Sequence, residues 1–100
     1  MNQVIINHTP RAELLAQLAE ECSELAKAAL KLRRAITQAS PTNVPTSTAE
    51  TNFREECADV LLTMKYATGG DTAVMATEDI TEMADYKECR WVQRIQGDNE

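Results

Sequence analysis

The chain has 100 residues, room for one modest core and not for two. Its 43% hydrophobic residues, with only 3 Gly and 3 Pro, read as a helical globular chain and exclude a disordered one. A net charge of −6 gives no electrostatic footing for duplex nucleic acid or an anionic membrane, and would repel a triphosphate unless divalent cations reverse the local sign.

Aromatic residues make up 4% of the chain, so the core must come from Leu, Ala, Met, Ile and Val. A core this thin gains stability from association, and self-assembly into a dimer or tetramer is expected. Three cysteines, Cys22, Cys57 and Cys89, form no Cys-x-x-Cys pair. They read as free thiols in a reducing compartment, used as small apolar packing residues. No apolar run approaches the roughly 20 residues of a membrane span. The amino terminus lacks a signal-peptide layout, so a cytoplasmic location is expected.

In chain order, Val4-Ile5-Ile6 is a short apolar run suited to covering one end of a helical domain. His8, the sole histidine, reads as an exposed polar residue ahead of a helix. Thr9-Pro10 predicts a helix start, with Thr9 as N-cap and proline in the first turn. From there to about Gln38 nothing interrupts a helix. Leu14, Leu18, Cys22, Leu25, Ala29, Leu32 and Ile36 form its apolar stripe. Lys27, Lys31, Arg33 and Arg34 fall in its last turns, where cations complement the helix dipole. They could also receive phosphates, although a solvated face accounts for most of them.

Ala39 to Ser47 is a break containing Pro41 and Pro45. Ser47-x-x-Glu50 predicts a capping box opening a second helix. Phe53, Cys57, Val60, Leu61, Met64 and Ala67 supply its stripe, and Gly69-Gly70 ends it. Asp71 to Ala76 is a loop or a short turn. Thr77 with Glu78 and Asp79 predicts the start of a last helix, which Gly97 closes. Ile80, Met83, Ala84, Trp91, Val92 and Ile95 can pack there, while Lys87, Arg90 and Arg94 share another face. The expected fold is an all-α helical bundle forming a single domain over residues 1–100.

One pattern occurs twice. Glu20-Glu21-Cys22-Ser23-Glu24-Leu25 and Glu55-Glu56-Cys57-Ala58-Asp59-Val60 lie 35 residues apart, each placing three carboxylates in an apolar run. At about 100° per residue, Glu21 lies about 60° and Glu24 about 120° from the first stripe centre. On the second helix Glu56 lies about 80° and Asp59 about 140° from the stripe centre, on one flank. Glu20 and Glu55 point further away. Packed antiparallel, the two helices can turn the pairs Glu21/Glu24 and Glu56/Asp59 toward each other. Like charges 4 Å apart repel by about 4 kcal/mol at an effective dielectric of 20, which protonation or a bound cation must relieve. Oxygen-only ligands favour Mg²⁺, Mn²⁺ or Ca²⁺ over zinc, and Mg²⁺ is usually completed by substrate phosphates. The alternative reading is two solvated acidic helix faces.

Glu20-Glu21-x-x-Glu24 followed by Glu56-x-x-Asp59, with Lys87-x-x-Arg90-Trp91 near the end, resembles the MazG-type all-α nucleoside triphosphate pyrophosphohydrolases. The likeness spans roughly residues 12–95, with a motif separation on the long side for that family. It implies Mg²⁺-dependent hydrolysis of a nucleoside triphosphate, often a deoxynucleotide, to monophosphate and pyrophosphate, with Mn²⁺ as a possible substitute. It also implies metal ligation by Glu21, Glu24, Glu56 and Asp59. Glu20 and Glu21 are the catalytic candidates, Glu20 supporting the site or helping to position the attacking water, and Lys87, Arg90 and Trp91 would contact substrate. Tyr66 and Tyr86 are further candidates for base stacking. Phosphoribosyl-ATP pyrophosphohydrolase, which shares the helical plan and motifs, is the enzymatic alternative. An acidic helical interaction module holding a structural cation is the non-enzymatic one.

Overall fold

A computed structural model describes residues 1–38, 44–69 and 73–98, excluding the side chains of 73–78 and 98. It contains four helices, α1 (Gln3–His8), α2 (Arg11–Thr37), α3 (Thr46–Gly69) and α4 (Ala73–Asp98), and no strand among the described residues. The all-α class follows. The chain divides into two compact units, Met1–Ala67 and Thr68–Glu100.

In the first unit the amino-terminal apolar run is helical. The Asn2 side chain caps α1 by accepting from the Val4 N–H, and Thr9 closes it by donating its N–H to the Ile5 carbonyl. That contact corrects the expected role of Thr9: it ends α1 instead of capping α2. Pro10 occupies the N-cap with no side-chain bond, and its carbonyl accepts from the N–H groups of Glu13 and Leu14. α2 then runs unbroken for 27 residues, as its composition predicts. It stops where Gln38 adopts the left-handed conformation at φ 53° and donates its N–H to the Arg34 carbonyl.

The buried seam of α2 is not the predicted stripe. It consists of Leu14, Leu18, Glu21, Leu25, Ala28, Leu32 and Ala35, all buried or half-buried, while Cys22 and Ile36 are exposed. α3 shows the same spacing through Ala49, Phe53, Glu56, Val60, Thr63 and Ala67. Alternating steps of four and three average 3.5 residues, the repeat by which two long helices keep one line in mutual contact. The contacts run antiparallel. Leu14 packs with Tyr66 and Ala67 at one end, where Ile5, Ile6 and Leu18 join them. Leu32 and Ala35 pack with Ala49 and Phe53 at the other. Polar ties reinforce the first end: the Asn2 N–H donates to the Tyr66 hydroxyl at 2.6 Å, and the Arg11 Nε–H to the Ala67 carbonyl at 3.0 Å.

Two further helix starts differ from expectation. Ser47 lies inside α3, and Glu50 turns forward to Arg54 at 3.2 Å, so the predicted capping box does not form. Pro45 provides the first carbonyl, accepting from Ala49, and Thr46 Oγ1 donates to the Ala35 carbonyl at 3.4 Å. The end of α3 at Gly69 agrees with the sequence, whereas Gly70 lies outside the described residues. The expected break at 39–47 is shorter, since α3 begins at Thr46, and its residues 39–43 are likewise outside.

α4, which makes up most of the second unit, begins at Ala73, four residues before the predicted Thr77 start. Ala73-Val74-Met75-Ala76 contains neither Gly nor Pro, so nothing stops the helix extending backward. Gly97 is helical and does not end α4, which continues to Asp98. The apolar residues Ile80, Met83, Trp91, Val92 and Ile95, expected to pack, are exposed.

Candidate metal centre

The 3.5-residue seam decides where the carboxylates go. On α2 the repeat takes Glu21 into the contact line where the apolar pattern alone selects Cys22. On α3 the same repeat takes in Glu56. Two acids thus occupy seam positions on facing helices, both half-buried. Asp59, one turn after Glu56, reaches in from the exposed edge. One carboxylate oxygen from each of Glu21, Glu56 and Asp59 lies within 4.8 Å of the others.

The surroundings tighten this arrangement. Val60 and Thr63 flank the acids in the seam, both buried, and Thr63 Oγ1 donates to the Asp59 carbonyl at 2.7 Å. Partial burial pushes the Glu21 carboxyl above its ordinary range, and the charges of Asp59, Glu56, Glu20 and Glu24 push it the same way. No cation of the protein is close enough to any of the three for an ion pair among the described residues. Three carboxylate oxygens this close are donors of the kind that hard divalent cations take.

The other expected site residues fall elsewhere. Glu24, predicted with the four, is exposed and pairs with Lys27 at 3.4 Å; it is not among the three converging acids. Glu20 is exposed beside the site and acts on Glu21 through its charge. Lys87, Arg90 and Trp91 belong to the second unit, all exposed, with the Arg90 guanidinium 6.0 Å from the Tyr86 ring centre. Tyr66 is core, buried at 7% exposure, and its hydroxyl accepts from the Asn2 N–H.

Sequence reasoning did not foresee a cavity of about 510 Å³ between α2 and α3. The seam alanines Ala28 and Ala49 contribute to its lining, together with Lys27, Lys31, Arg34 and Asn52. Glu24, Glu55 and Glu56 also line it, so Glu56 belongs both to the cavity and to the acidic trio. The signal was available in the 4,3 spacing of Lys27, Lys31 and Arg34, which aligns three cations on one helix face.

No helix among the described residues is long and apolar enough to cross a membrane. Comparison of the chain with protein families, with characterised proteins and with solved structures finds no match.

Proposed function

We propose that the protein is a Mg²⁺-dependent nucleoside triphosphate pyrophosphohydrolase, converting a (d)NTP and water to the monophosphate and pyrophosphate, in the manner of the MazG-type enzymes its motifs resemble. The observation that carries this reading is the placement of Glu21 and Glu56 at seam positions, with Asp59 converging on them. A structural seam favours apolar residues there, because like charges facing each other in a partly desolvated contact oppose folding. A divalent cation turns the same three oxygens into a binding site, with Glu24 one turn along α2 as a fourth donor in the proposed set.

A cation held there neutralises phosphate charge and lowers the pKa of a coordinated water. The chain's own part is orientation: Glu21, Glu56 and Asp59 would hold the cation, and Glu20 with Glu21 would position the water and take up its proton. Water oxygen bonds to the α-phosphorus, the bridge to the β-phosphate breaks, and pyrophosphate leaves with the electron pair. Lys87, Arg90 and Trp91 keep a proposed substrate role, and a cytoplasmic housekeeping of nucleotide pools suits this activity.

The core also favours self-association. Four of the eight buried apolar residues among those described are alanines, and no large side chain is below 2% exposure. We therefore include a dimer or tetramer in the proposal. The direct test is pyrophosphate release from a panel of (d)NTPs with Mg²⁺. Glu21→Gln and Asp59→Asn are each expected to abolish release with helicity retained, and unchanged turnover in either would remove the ligand assignment. A panel in which only phosphoribosyl-ATP is cleaved would select that alternative.

A further inference from the structure

We propose that the cavity beside the acidic trio seats the β,γ-diphosphate of the substrate, with Lys27, Lys31 and Arg34 as its phosphate-binding residues. This inference builds on the proposed function and assigns a role to a part of the site that the acidic motifs do not reach.

The cavity is bipolar. α2 and α3 are antiparallel, so residues early on α2 face residues late on α3. Glu24 on α2 accordingly marks the same end as Glu55 and Glu56 on α3. Lys31 and Arg34 mark the other end, where the α3 residues lining the cavity are Ala49 and Asn52. Carboxylates thus gather at one end and Lys31 and Arg34 at the other; Lys27 lies beside Glu24, and Glu56 joins the negative end to the trio. A ligand matched to that gradient carries a cation at one end and a chain of negative charge at the other. A metal-bound polyphosphate has this form.

Three observations favour a ligand over a solvated face. Neither Lys31 nor Arg34 has an ion-pair partner among the described residues, so both donors remain available. Lys27 is held only by the exposed Glu24 pair, which is weak in water and exchanges readily for phosphate. The floor contains alanines where the seam could hold larger residues, and that choice leaves open a volume typical of small-molecule sites. At 1.5 Å rise per residue, Lys27 to Arg34 covers roughly 10 Å along α2, a reach suited to successive phosphates. Lys supplies point charges and Arg a bidentate fork. The consequence is selectivity: a diphosphate or monophosphate leaves the Arg34 end unfilled, so triphosphates are preferred.

Calorimetric titration of inorganic pyrophosphate in Mg²⁺, beside nucleotide turnover, tests the assignment. Wild type is expected to bind pyrophosphate. Lys31→Ala and Arg34→Ala should each weaken it by about tenfold or more, as for loss of a charge-assisted hydrogen bond. Lys31→Arg should stay close to wild type. With a triphosphate, both alanine variants should raise KM, while the Mg²⁺ concentration for half-maximal activity, read at saturating triphosphate for each variant, stays unchanged. Failure of wild type to bind pyrophosphate, equal binding by Lys31→Ala/Arg34→Ala, or unaltered KM would overturn the assignment. If no nucleotide is hydrolysed, the activity falls while the titration still decides whether the cavity receives phosphate.

Discussion

Glu21 is the residue on which packing and charge pull apart. It fills a seam position that apolar packing would give to Leu or Ala, and partial burial, with four neighbouring carboxylates, raises its pKa. A raised folded-state pKa means that the folded chain binds the proton more tightly than the unfolded chain. Without metal, this contribution to stability is present below the ordinary carboxylate range and is lost as pH rises through the raised value. Thermal melts in EDTA should therefore show Glu21→Gln more stable than wild type at pH 7, with the gap closing as pH falls. Mg²⁺ should raise the melting temperature of wild type and leave that of Glu21→Gln little changed. A wild type indifferent to Mg²⁺ in this assay would contradict the metal assignment. The repeated hexapeptide made the acids visible in the sequence, and flank geometry chose Glu21, Glu24, Glu56 and Asp59, of which Glu21, Glu56 and Asp59 converge. It could not show that two of them enter the contact line, because residue pattern ranks Cys22 and Cys57 above their acidic neighbours.

At the scale of elements, uninterrupted composition gave the long helices reliably, while their ends depended on competition among local bonds. Thr9 was readable as a cap, but it closes the six-residue helix before it, and α2 starts one residue later with Pro10 as its N-cap. Glu50 was readable as half of a capping box, but Arg54 one turn ahead takes its carboxylate. The spacing of the seam was harder to see, since a 3.67-residue stripe and a 3.5-residue seam share Leu14, Leu18, Leu25 and Leu32 and part only at Glu21, Ala28 and Ala35. The end of α2 carries a separate test. Gln38 is the described non-glycine residue at positive φ, where a Cβ costs roughly 1 kcal/mol. Gln38→Gly should raise unfolding free energy by up to about 1 kcal/mol, read from denaturant midpoints, with activity unaffected.

For the whole molecule, the two units differ in how they use apolar residues. The first builds its core from α1, α2 and α3, down to Ala67 at 1% exposure. In the second, Met83, Tyr86 and Trp91 are each at least 60% exposed. Large apolar side chains at that density on one helix are what an association surface provides. Light scattering behind size exclusion should give a mass of two or four chains, and Met83→Glu or Trp91→Glu should lower it. A monomer at all concentrations would remove assembly from the proposal. The sequence announced these residues as packing; it could not say whether they pack within one chain.

Glu56 lines the cavity and faces Glu21 and Asp59, and one side chain in two places imposes a thermodynamic reciprocity. Whatever factor the cation contributes to affinity for the anionic ligand, that ligand must return to affinity for the cation. On the proposed function, the apparent Mg²⁺ requirement would then depend on nucleotide concentration. At scarce triphosphate the metal would dissociate readily, and at abundant triphosphate each ligand would retain the other, so the Mg²⁺ midpoint should fall as triphosphate rises.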